Sequence, residues 1–337
     1  MPEVTVAIPV RDGGERLREV LGALSAQSVA HELIVCDSGS SDGSAALARA
    51  HGARVLEIAP HEFSHGGTRN LLVGEASGAY VALLTQDAAP ASERWLERLL
   101  EIFATVPGAG LAYGPYEPRA DAPVAVRLEL ERWFRSLSPD GSPQLVRLDR
   151  TERALPVLEL LDRRGFFTDA NACLSRAAWE RVPFREVAYA EDRVLAIDML
   201  RAGFAKVFVP GAPVRHSHHY GTLAQLRRSF DEGRGVREVY GWREPLGPRR
   251  ALGQLRGELG YARVQLAAAG VPPGRRWATL AAVARHQLAR LTGAILGSRA
   301  DRLPASLRRL LSLERRGSFV PARIGPGASP SRSANDD

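Results

Sequence analysis

The amino-acid sequence predicts an α/β fold in which helices flank a mainly parallel central sheet. In the first hundred residues, short apolar runs alternate with amphipathic helical patterns, as is typical of right-handed strand–helix–strand crossovers. Two of the apolar runs end directly in polar turns, as expected where the carboxyl ends of strands form a ligand site. The pattern predicts strands at 4–10, 32–36, 54–58 and 80–84, and helices at 15–27, 42–51, 68–76 and 92–105.

The rest of the chain divides into a less regular α/β stretch and a helical region. We expect residues 1–222 to form the α/β domain, residues 223–320 a helical C-terminal extension, and residues 321–337, rich in Pro, Ser and Gly, a disordered tail. Within 106–222 the pattern predicts strands at 108–116, 206–210 and 213–216, helices at 124–135, 179–181 and 191–202, and a polar loop at 136–156.

The composition is that of a globular protein with a large core. Of the 337 residues, 45% are hydrophobic and 25% charged, which leaves ample apolar material to bury. Cys36 and Cys173 lack metal-ligand spacing, and we expect them to be reduced thiols in a cytoplasmic protein. No apolar run approaches the roughly 18–20 residues that a spanning helix needs. We therefore expect a soluble protein, or one that lies on the inner face of the cell membrane.

Charge is distributed unevenly along the chain. From Arg215 onward there are 22 Arg and 9 acidic residues, a net charge of +13, so residues 1–214 carry −6 within the total of +7. The Arg-rich helices could lie on an anionic bilayer, or their apolar face could pack on the α/β domain or on a second subunit as a homodimer. Because the basic residues lack interleaved aromatic side chains, we expect no nucleic-acid partner. The apolar face consists of Trp277, Leu280, Ala281, Ala284, Leu288, Leu291 and Ile295.

The first candidate binding residue is Asp37, which follows a buried strand and precedes a Gly/Ser turn at 38–43. Such a turn exposes backbone N–H groups and the positive end of the next helix dipole. Asp37 could accept the imide N–H of uracil or thymine, or a ribose hydroxyl. The alternative is a structural turn in which Ser41 or Asp42 caps the helix.

A second Gly turn, at 65–70, leads into the helix that contains Arg69. Near the helix start, a guanidinium could bind a diphosphate through two parallel hydrogen bonds. The alternative is an exposed Arg on an ordinary capped helix.

Asp87 is the candidate metal ligand, because it is a single carboxylate just beyond the strand at 80–84. Mg²⁺ and Mn²⁺ commonly take one or two carboxylates and complete their shell with phosphate oxygens and water. With His216 as a second ligand, Mn²⁺ is more natural than Mg²⁺. The alternative is that Asp87 caps the helix that begins near Ser92.

Three histidines follow the last predicted strand. On a strand, His216 and His218 would face one side and His219 the other, so one of the pair could serve the metal and the other a phosphate. The spacing is too tight for a structural zinc site, and no Cys or remote His pair accompanies it.

Glu191 and Asp192 lie in the first turn of a predicted helix. Acidic residues are favoured there by the helix dipole alone. If this helix start faces the pocket, Asp192 can instead take the proton from an attacking hydroxyl group.

Together these motifs resemble the inverting family 2 glycosyltransferases, and among them the bacterial rhamnosyltransferases. The resemblance covers roughly residues 3–235, and its motifs are specific in combination. The family motifs are at 8–11 (IPVR), 36–43 (CDSGSSDG), 68–70 (TRN), 191–192 (ED) and 214–216 (VRH), and the rhamnosyltransferase-like phrases are at 61–70 (HEFSHGGTRN), 84–88 (LTQDA), 169–171 (DAN) and 216–220 (HSHHY).

The resemblance implies a Rossmann-like GT-A fold and a role for each motif residue. Asp37 would bind the base or ribose, Asp87 would be the metal-binding Asp of the DxD motif, Asp192 the catalytic base, and His216 a metal or diphosphate contact. Thr85 replaces the first Asp of that motif, so the requirement for Mn²⁺ or Mg²⁺ stays open. The other donor-binding residues would be Pro9, Val10, Arg11, Ser38, Arg69 and Gln86, and the acceptor or sugar contacts Asp169, Asn171, Glu191 and His218.

The resemblance further implies transfer of L-rhamnose from dTDP-L-rhamnose, with inversion, to a hydroxyl of a cell-surface polysaccharide or lipid-linked acceptor. One alternative is another UDP-, dTDP- or GDP-sugar. A nucleotidyltransferase would need a Gly-rich loop with a Lys, of which residues 10–14 are a poor copy. A non-catalytic carbohydrate- or nucleic-acid-binding protein would leave Asp192 without a role.

Overall fold

The structure, a computed structural model, describes residues 3–162, 164–245 and 247–321 and is built around an eight-stranded sheet. The strands are β1 Val4–Val10, β2 Glu32–Asp37, β3 Arg54–Glu57, β4 Tyr80–Leu84, β5 Ala89–Pro90, β6 Ala109–Tyr113, β7 Tyr116–Glu117, β8 Gln144–Val146, β9 Asn171–Ser175, β10 Ala205–Phe208 and β11 Val214–Arg215. The helices are α1 Gly14–Ser25, α2 Ser44–Ala50, α3 His65–Glu75, α4 Trp95–Thr105, α5 Val124–Leu137, α6 Arg150–Arg153, α7 Arg176–Arg181, α8 Glu191–Arg201, α9 Thr222–Tyr240, α10 Pro248–Ala268, α11 Pro273–Gly297 and α12 Ala305–Leu311.

The large sheet has the strand order β3-β2-β1-β4-β9-β6-β10-β8. The first four strands are parallel, as are β6 and β10, whereas β9 runs antiparallel to both of its neighbours and β8 is antiparallel at the edge. The α/β fold class is confirmed, but the sheet is more mixed than expected. Strand β9 has only three apolar residues between Asn171 and Ser175, too few for a periodic signal. β8 and α6 likewise occupy the stretch that we expected to be a loop.

Helices cover both faces of this sheet because alternate side chains of each strand point to opposite layers. Val6 and Ile8 of β1 belong to the layer that packs on α1 and α4, whereas Ala7 belongs to the layer that packs on α3, α7 and α8. The two cysteines are free and buried, Cys173 in the first layer and Cys36 in the second.

A second, three-stranded sheet has the order β5-β11-β7. Strand β11 pairs antiparallel with β5 and parallel with β7, so that Arg215 lies opposite Ala89 and Glu117. Because β5 begins two residues after Asp87 and β11 ends one residue before His216, this pairing brings the two predicted metal ligands to one place.

In the helical region, α9 and α11 run parallel, and the C-terminal part of α11 packs closely on the N-terminal part of α9. A Cβ atom at Gly293 would clash with the carbonyl oxygen of Leu226, and one at Gly297 with that of Phe230. Helices α10 and α11 also dock on α5 through ion pairs, Arg132 with Glu258 at 2.9 Å and Glu129 with His286 at 2.7 Å and with Arg290.

The expected apolar face of α11 is only partly correct. The buried side chains of this helix are Val283, Gln287, Ala289, Gly293 and Gly297, and Trp277 is exposed. Gly293 and Gly297 are buried here because the close approach of α9 leaves room only for small residues, which a hydrophobicity pattern does not show.

Residues 322–337 lie outside the described part of the chain, so the expected disordered tail has no counterpart here. The division at 222/223 stays a prediction, although α9 begins at Thr222. None of the helices within the described ranges combines the length and apolarity required to cross a membrane.

The α9–α11 packing predicts opposite effects for two glycine substitutions. Gly297→Ala should destabilise the fold by about 1–3 kcal/mol, because the new methyl group meets backbone rather than a movable side chain. Gly253→Ala, in the open interior of α10, should stabilise it by about 0.5–1 kcal/mol. Chemical denaturation of both variants checks this, and equal effects would contradict the packing.

Candidate functional site

The histidine loop at 216–220 faces the carboxylate of Asp87. His216 Nδ1 lies 3.4 Å from Asp87 Oδ1, and His218 Nδ1 lies 4.0 Å from Asp87 Oδ2. One ligand atom from each of the three residues falls within 4.8 Å of the others. One carboxylate oxygen and two imidazole nitrogens suit Mn²⁺, with room for phosphate oxygens and water to complete the shell.

Asp87 is held by Thr85 and by Arg119, of which the sequence analysis singled out only Thr85. Thr85, which replaces the first acidic residue of the motif, donates its hydroxyl to Asp87 Oδ1 at 2.8 Å. Arg119 donates to the backbone carbonyl of Asp87 at 2.6 Å and pairs with Glu19 on α1. Burial would raise the pKa of Asp87, but His216 and the Thr85 hydrogen bond outweigh it and leave this pKa below its usual range. The carboxylate is therefore ionised and fixed in place.

Both imidazoles of the cluster are neutral at neutral pH. Burial lowers the pKa of His216, and burial together with His216 lowers the pKa of His218 to about 4. Neutral imidazole is the form that binds metals. His218, expected to contact a phosphate, acceptor or sugar, instead lies with His216 at the carboxylate.

The expected strand at 213–216 ends at Arg215, so the strand argument for the histidines does not hold. The histidines are nevertheless divided as expected, with His216 and His218 together and His219 apart. His219 points away from the cluster and has its Nδ1 3.7 Å from Asp121.

Asp37 lies at the carboxyl end of β2 and is hydrogen-bonded to the polar turn that follows it. Asp37 Oδ1 accepts hydrogen bonds from the backbone N–H groups of Gly39 and Ser40 at 3.0 and 2.8 Å. Its other oxygen, Oδ2, is buried and has no protein partner among the described residues. A buried acceptor without a partner is costly, and it fits a ligand N–H or hydroxyl group, as expected for this residue.

The remaining donor-binding candidates differ in the exposure of their side chains. Arg11 has an exposed side chain, and its backbone is bonded in both directions to the amide of Gln86, at 2.8 and 3.0 Å. Pro9 is half-buried, whereas Val10 and Ser38 are buried, and Ser38 donates to the Val10 carbonyl through its N–H and its hydroxyl. Direct side-chain contact with a ligand does not fit Val10 and Ser38, which hold the turns together.

Arg69 does not have the role predicted for it. Its side chain is buried, with Nε 2.5 Å from Asp169 Oδ2 and Nη1 3.3 Å from Glu191 Oε1. Two buried carboxylates already compensate this cation, so a diphosphate contact does not fit. For the same reason Asp169 and Glu191, expected to contact a sugar, are ion-pair partners that fix the start of α8.

Asp192 lies in the first turn of α8, next to this ion-pair cluster. The preceding residue, Ala190, has a left-handed backbone with φ of 56°, which is strained for a residue with a side chain. Burial, followed by the negative charges of Asp169 and Glu191, raises the pKa of Asp192 well above its usual range. A carboxylate with a raised pKa is a stronger base than an ordinary Asp.

Tyr116 connects the metal-ligand side of the site to the base side. Its ring packs against His216 with centroids 4.8 Å apart, and its hydroxyl is bonded to Thr168. Burial is the main cause of its raised pKa, and the charges of Asp169, Asp192 and Asp87 add to it. All three carboxylates thus lie within electrostatic reach of one phenol group.

Asn171 is a structural residue rather than a sugar contact. It is fully buried at the start of β9. Its oxygen accepts the indole N–H of Trp95 at 2.8 Å, and its nitrogen donates to the carbonyls of Pro115 and Ala212 at 3.0 and 2.9 Å. The predicted contact with acceptor or sugar does not fit a side chain whose polar atoms are all used.

Arg228 of α9 is a site residue that the sequence reasoning missed. It donates to the hydroxyl of Tyr189 at 3.2 Å and to Glu232 at 3.1 Å. Burial is the main cause of the low pKa of His218, the charge of His216 is the next, and the charge of Arg228 adds to them. The available signal was its position two turns into the helix that follows the histidine loop.

The family model described as Glycosyl transferase family 2 matches residues 5–147 of the chain. The O-antigen chain rhamnosyltransferase WbaN of Salmonella anatum is 30% identical over 239 residues, covering 69% of this chain and 72% of that protein. The O-antigen chain rhamnosyltransferase RfbN of Salmonella typhimurium is 31% identical over 237 residues, covering 68% and 71%.

Among solved structures, the mannosyltransferase PcManGT from Pyrobaculum calidifontis, in complex with GDP-Man and Mn²⁺, aligns with a TM-score of 0.56 at 17% identity. The alignment covers 89% of this chain and 86% of that one. TarS of S. aureus, in complex with UDP-GlcNAc, aligns with a TM-score of 0.50 at 13% identity, covering 94% and 89%. These likenesses show that the two proteins share the fold described above.

The acidic cluster predicts how the Asp192 carboxyl group titrates. Its pKa should lie above the usual value of about 4, and Glu191→Gln should lower it, because loss of a neighbouring negative charge favours the ionised form. Carbon-13 NMR titration of the Asp side chains, with the Asp192 signal assigned from Asp192→Asn, measures both. Glu186→Gln at an exposed position is the control, and an equal shift in both variants would contradict the coupling.

Proposed function

We propose that this chain, which belongs to glycosyl transferase family 2 and is a glycosyltransferase, transfers L-rhamnose from dTDP-L-rhamnose to a hydroxyl group of a growing cell-surface polysaccharide. Two Salmonella relatives that it matches over more than two thirds of their length are O-antigen chain rhamnosyltransferases. The observation that carries the proposed mechanism is that Tyr116 packs on His216 of the Asp87 cluster and that its pKa also responds to the charge of Asp192. Family membership removes the nucleotidyltransferase and non-catalytic alternatives.

The donor nucleotide would occupy the carboxyl edge of the parallel strands. Asp37 Oδ2, a buried acceptor without a partner, suits the imide N–H of thymine or a ribose hydroxyl. The exposed Arg11 and the half-buried Gln86 line the same edge between β1 and β4. Another UDP-, dTDP- or GDP-sugar is the alternative donor, because this set of groups does not distinguish the sugars.

Asp87, His216 and His218 would hold Mn²⁺ or Mg²⁺. A bound divalent cation would act as a Lewis acid that stabilises negative charge on the diphosphate leaving group. Among solved structures with this fold, PcManGT is in complex with GDP-Man and Mn²⁺. The chain's own contribution is an oriented carboxylate, two neutral imidazoles and the cation of Arg228, whose charge acts on His218. Arg228 thus takes the place that we first assigned to Arg69.

Asp192 would act as the general base. Its neighbours Asp169 and Glu191 raise its affinity for a proton, while Arg69 keeps the start of the helix in position. The acceptor hydroxyl would lose its proton to Asp192 as it attacks the anomeric carbon from the face opposite the leaving diphosphate. One such displacement inverts the configuration at that carbon.

The acceptor of this reaction would be lipid-linked, and the protein would work in the cytoplasm at the inner face of the cell membrane. The basic charge of the C-terminal third, a net +13 from Arg215 onward, supports contact with an anionic surface.

Hydrolysis of a sugar-nucleotide panel tests the donor assignment. With Mn²⁺ present, dTDP-L-rhamnose should be hydrolysed faster than UDP-glucose, UDP-GlcNAc or GDP-mannose, and chelation should slow the reaction. Asp87→Ala should weaken dTDP binding only when Mn²⁺ is present, as measured by calorimetry. Faster hydrolysis of another donor would replace the sugar assignment, and dTDP binding unaffected by Mn²⁺ would contradict the metal site.

Asp192→Asn tests the base. Turnover should fall by about 10²–10⁴-fold, the usual contribution of general-base catalysis, while dTDP affinity stays unchanged because Asp192 does not contact the nucleotide. Glu186→Gln provides an exposed carboxylate as control. If both variants keep wild-type turnover, another group is the base.

A further inference from the structure

The hairpin formed by α10, the connecting turn and α11 is strongly basic. Residues 248–297 contain eight Arg and a single acidic residue, Glu258. That one carboxylate pairs with Arg132 of α5, so it does not offset the charge of the outer surface. The exposed arginines of the hairpin are Arg249, Arg250, Arg256, Arg263, Arg275 and Arg285.

The hairpin also carries large apolar side chains that no other part of the described chain covers. Trp277 is 75% exposed, Val264 63%, Leu288 52% and Leu252 45%. Single exposed apolar residues are common on proteins, but here they alternate with arginines on one hairpin. Arginine with Trp and aliphatic side chains is the composition of surfaces that lie in the headgroup region of a bilayer.

The short helix α12 also carries two adjacent arginines, Arg308 and Arg309, but it is less suited to this role. Arg308 donates to the carbonyls of Gly317 at 2.7 Å and Leu303 at 2.8 Å. Its guanidinium therefore closes the C-terminal turn of the protein and is not available to an outside partner.

The hairpin also projects toward the end of the molecule that carries the site. Gly293 lies against Leu226 in the parallel α9–α11 pair, so about the first 16 residues of α11 extend beyond the start of α9, which is about 24 Å at 1.5 Å per residue. The start of α9 follows the histidine loop directly. The tip of the hairpin therefore lies about 24 Å beyond the start of α9, on the side of the molecule where the histidine loop enters that helix.

We propose that the exposed face of the α10–α11 hairpin binds the surface of an anionic lipid bilayer, with its arginines on the headgroups and Trp277 in the interface. This inference rests on the proposed function only in one respect: a lipid-linked acceptor would require the enzyme to work at a membrane surface. Two copies of so basic a face repel each other, which disfavours a homodimer through it. Trp277 is the one strongly exposed aromatic of the described hairpin residues, too few for the stacking that single-stranded nucleic acids use.

Vesicle co-sedimentation of the full-length protein tests the surface. The wild-type chain should bind phosphatidylcholine vesicles that contain phosphatidylglycerol, bind pure phosphatidylcholine weakly, and lose binding at high salt. The triple change Arg256→Glu, Arg263→Glu and Arg275→Glu should weaken binding about a hundredfold or more, since each Arg near an anionic surface contributes about fivefold. Trp277→Ala alone should weaken binding while keeping its salt dependence.

The matched control reverses three surface arginines elsewhere, Arg18→Glu on α1, Arg94→Glu just before α4 and the half-buried Arg98→Glu on α4. It changes the net charge equally and should keep most of the binding. Equal losses in the two triple variants would overturn the hairpin assignment, as would a wild-type chain that stays in the supernatant with anionic vesicles. Concentration-dependent dimerisation abolished by the hairpin variant would overturn it in favour of a homodimer.

Hydrolysis of dTDP-L-rhamnose without vesicles separates this inference from the proposed function. The hairpin variant should hydrolyse the donor at the wild-type rate, and a loss of that rate would show that the change acts on the site or the fold. A wild-type chain that binds vesicles through the hairpin but hydrolyses no sugar nucleotide would refute the donor assignment and leave the surface intact.

Discussion

The candidate site depends on the pairing of two very short strands, β5 and β11. Each has two residues, and they are held by a few backbone hydrogen bonds, with one more from Ala91 N–H to the Pro213 carbonyl at 3.0 Å. This pairing joins segments that are about 125 residues apart in the chain. Asp87 lies just before one strand and His216 just after the other, so the metal-ligand cluster exists only where these strands meet.

Around that junction the structure uses buried arginines to fix backbone rather than to bind ligands. Arg119 holds the carbonyl of Asp87 from one side, and Arg69 holds Asp169 and Glu191 on the other. Removing one partner of such a buried pair is costly, because the remaining charge loses its compensation. Three carboxylates, those of Asp169, Glu191 and Asp192, lie near the single cation of Arg69. Asp169 and Glu191 form ion pairs with Arg69, and Asp192 does not. Burial is the main cause of the raised pKa of Asp192, and the negative charges of Asp169 and Glu191 add to it.

Local patterns in the sequence were sufficient to predict the strands and helices of most of the first hundred residues. Strands β1 to β4 and the helices between them begin and end close to their expected positions, because apolar periodicity and Gly turns are local signals. The approach of His216 to Asp87 was also foreseen, since polar residues beyond the carboxyl ends of neighbouring strands meet at one edge.

The roles of three other residues depend on distant partners and were not predicted. Arg69 looked like an exposed cation at a helix start, and only Asp169, a hundred residues later, makes it a buried one. Asn171 looked like a sugar ligand because nothing local shows that Trp95, Pro115 and Ala212 use all its hydrogen bonds. Arg228 was one arginine among many in a helical region, and its hydrogen bond to Tyr189 follows from packing alone.

The two buried thiols have a consequence for how the fold can be followed in solution. Burial raises the pKa of Cys36 to about 11 and raises that of Cys173 as well. Neither side chain is therefore a thiolate at neutral pH, and neither sulfur reacts as a nucleophile in the native state. Cys36 lies in the core layer that includes α3 and α8, and Cys173 in the opposite layer, which includes α1 and α4. Each thiol becomes reactive only when its own layer opens, so the protein carries a separate internal marker of local unfolding for each face of the sheet.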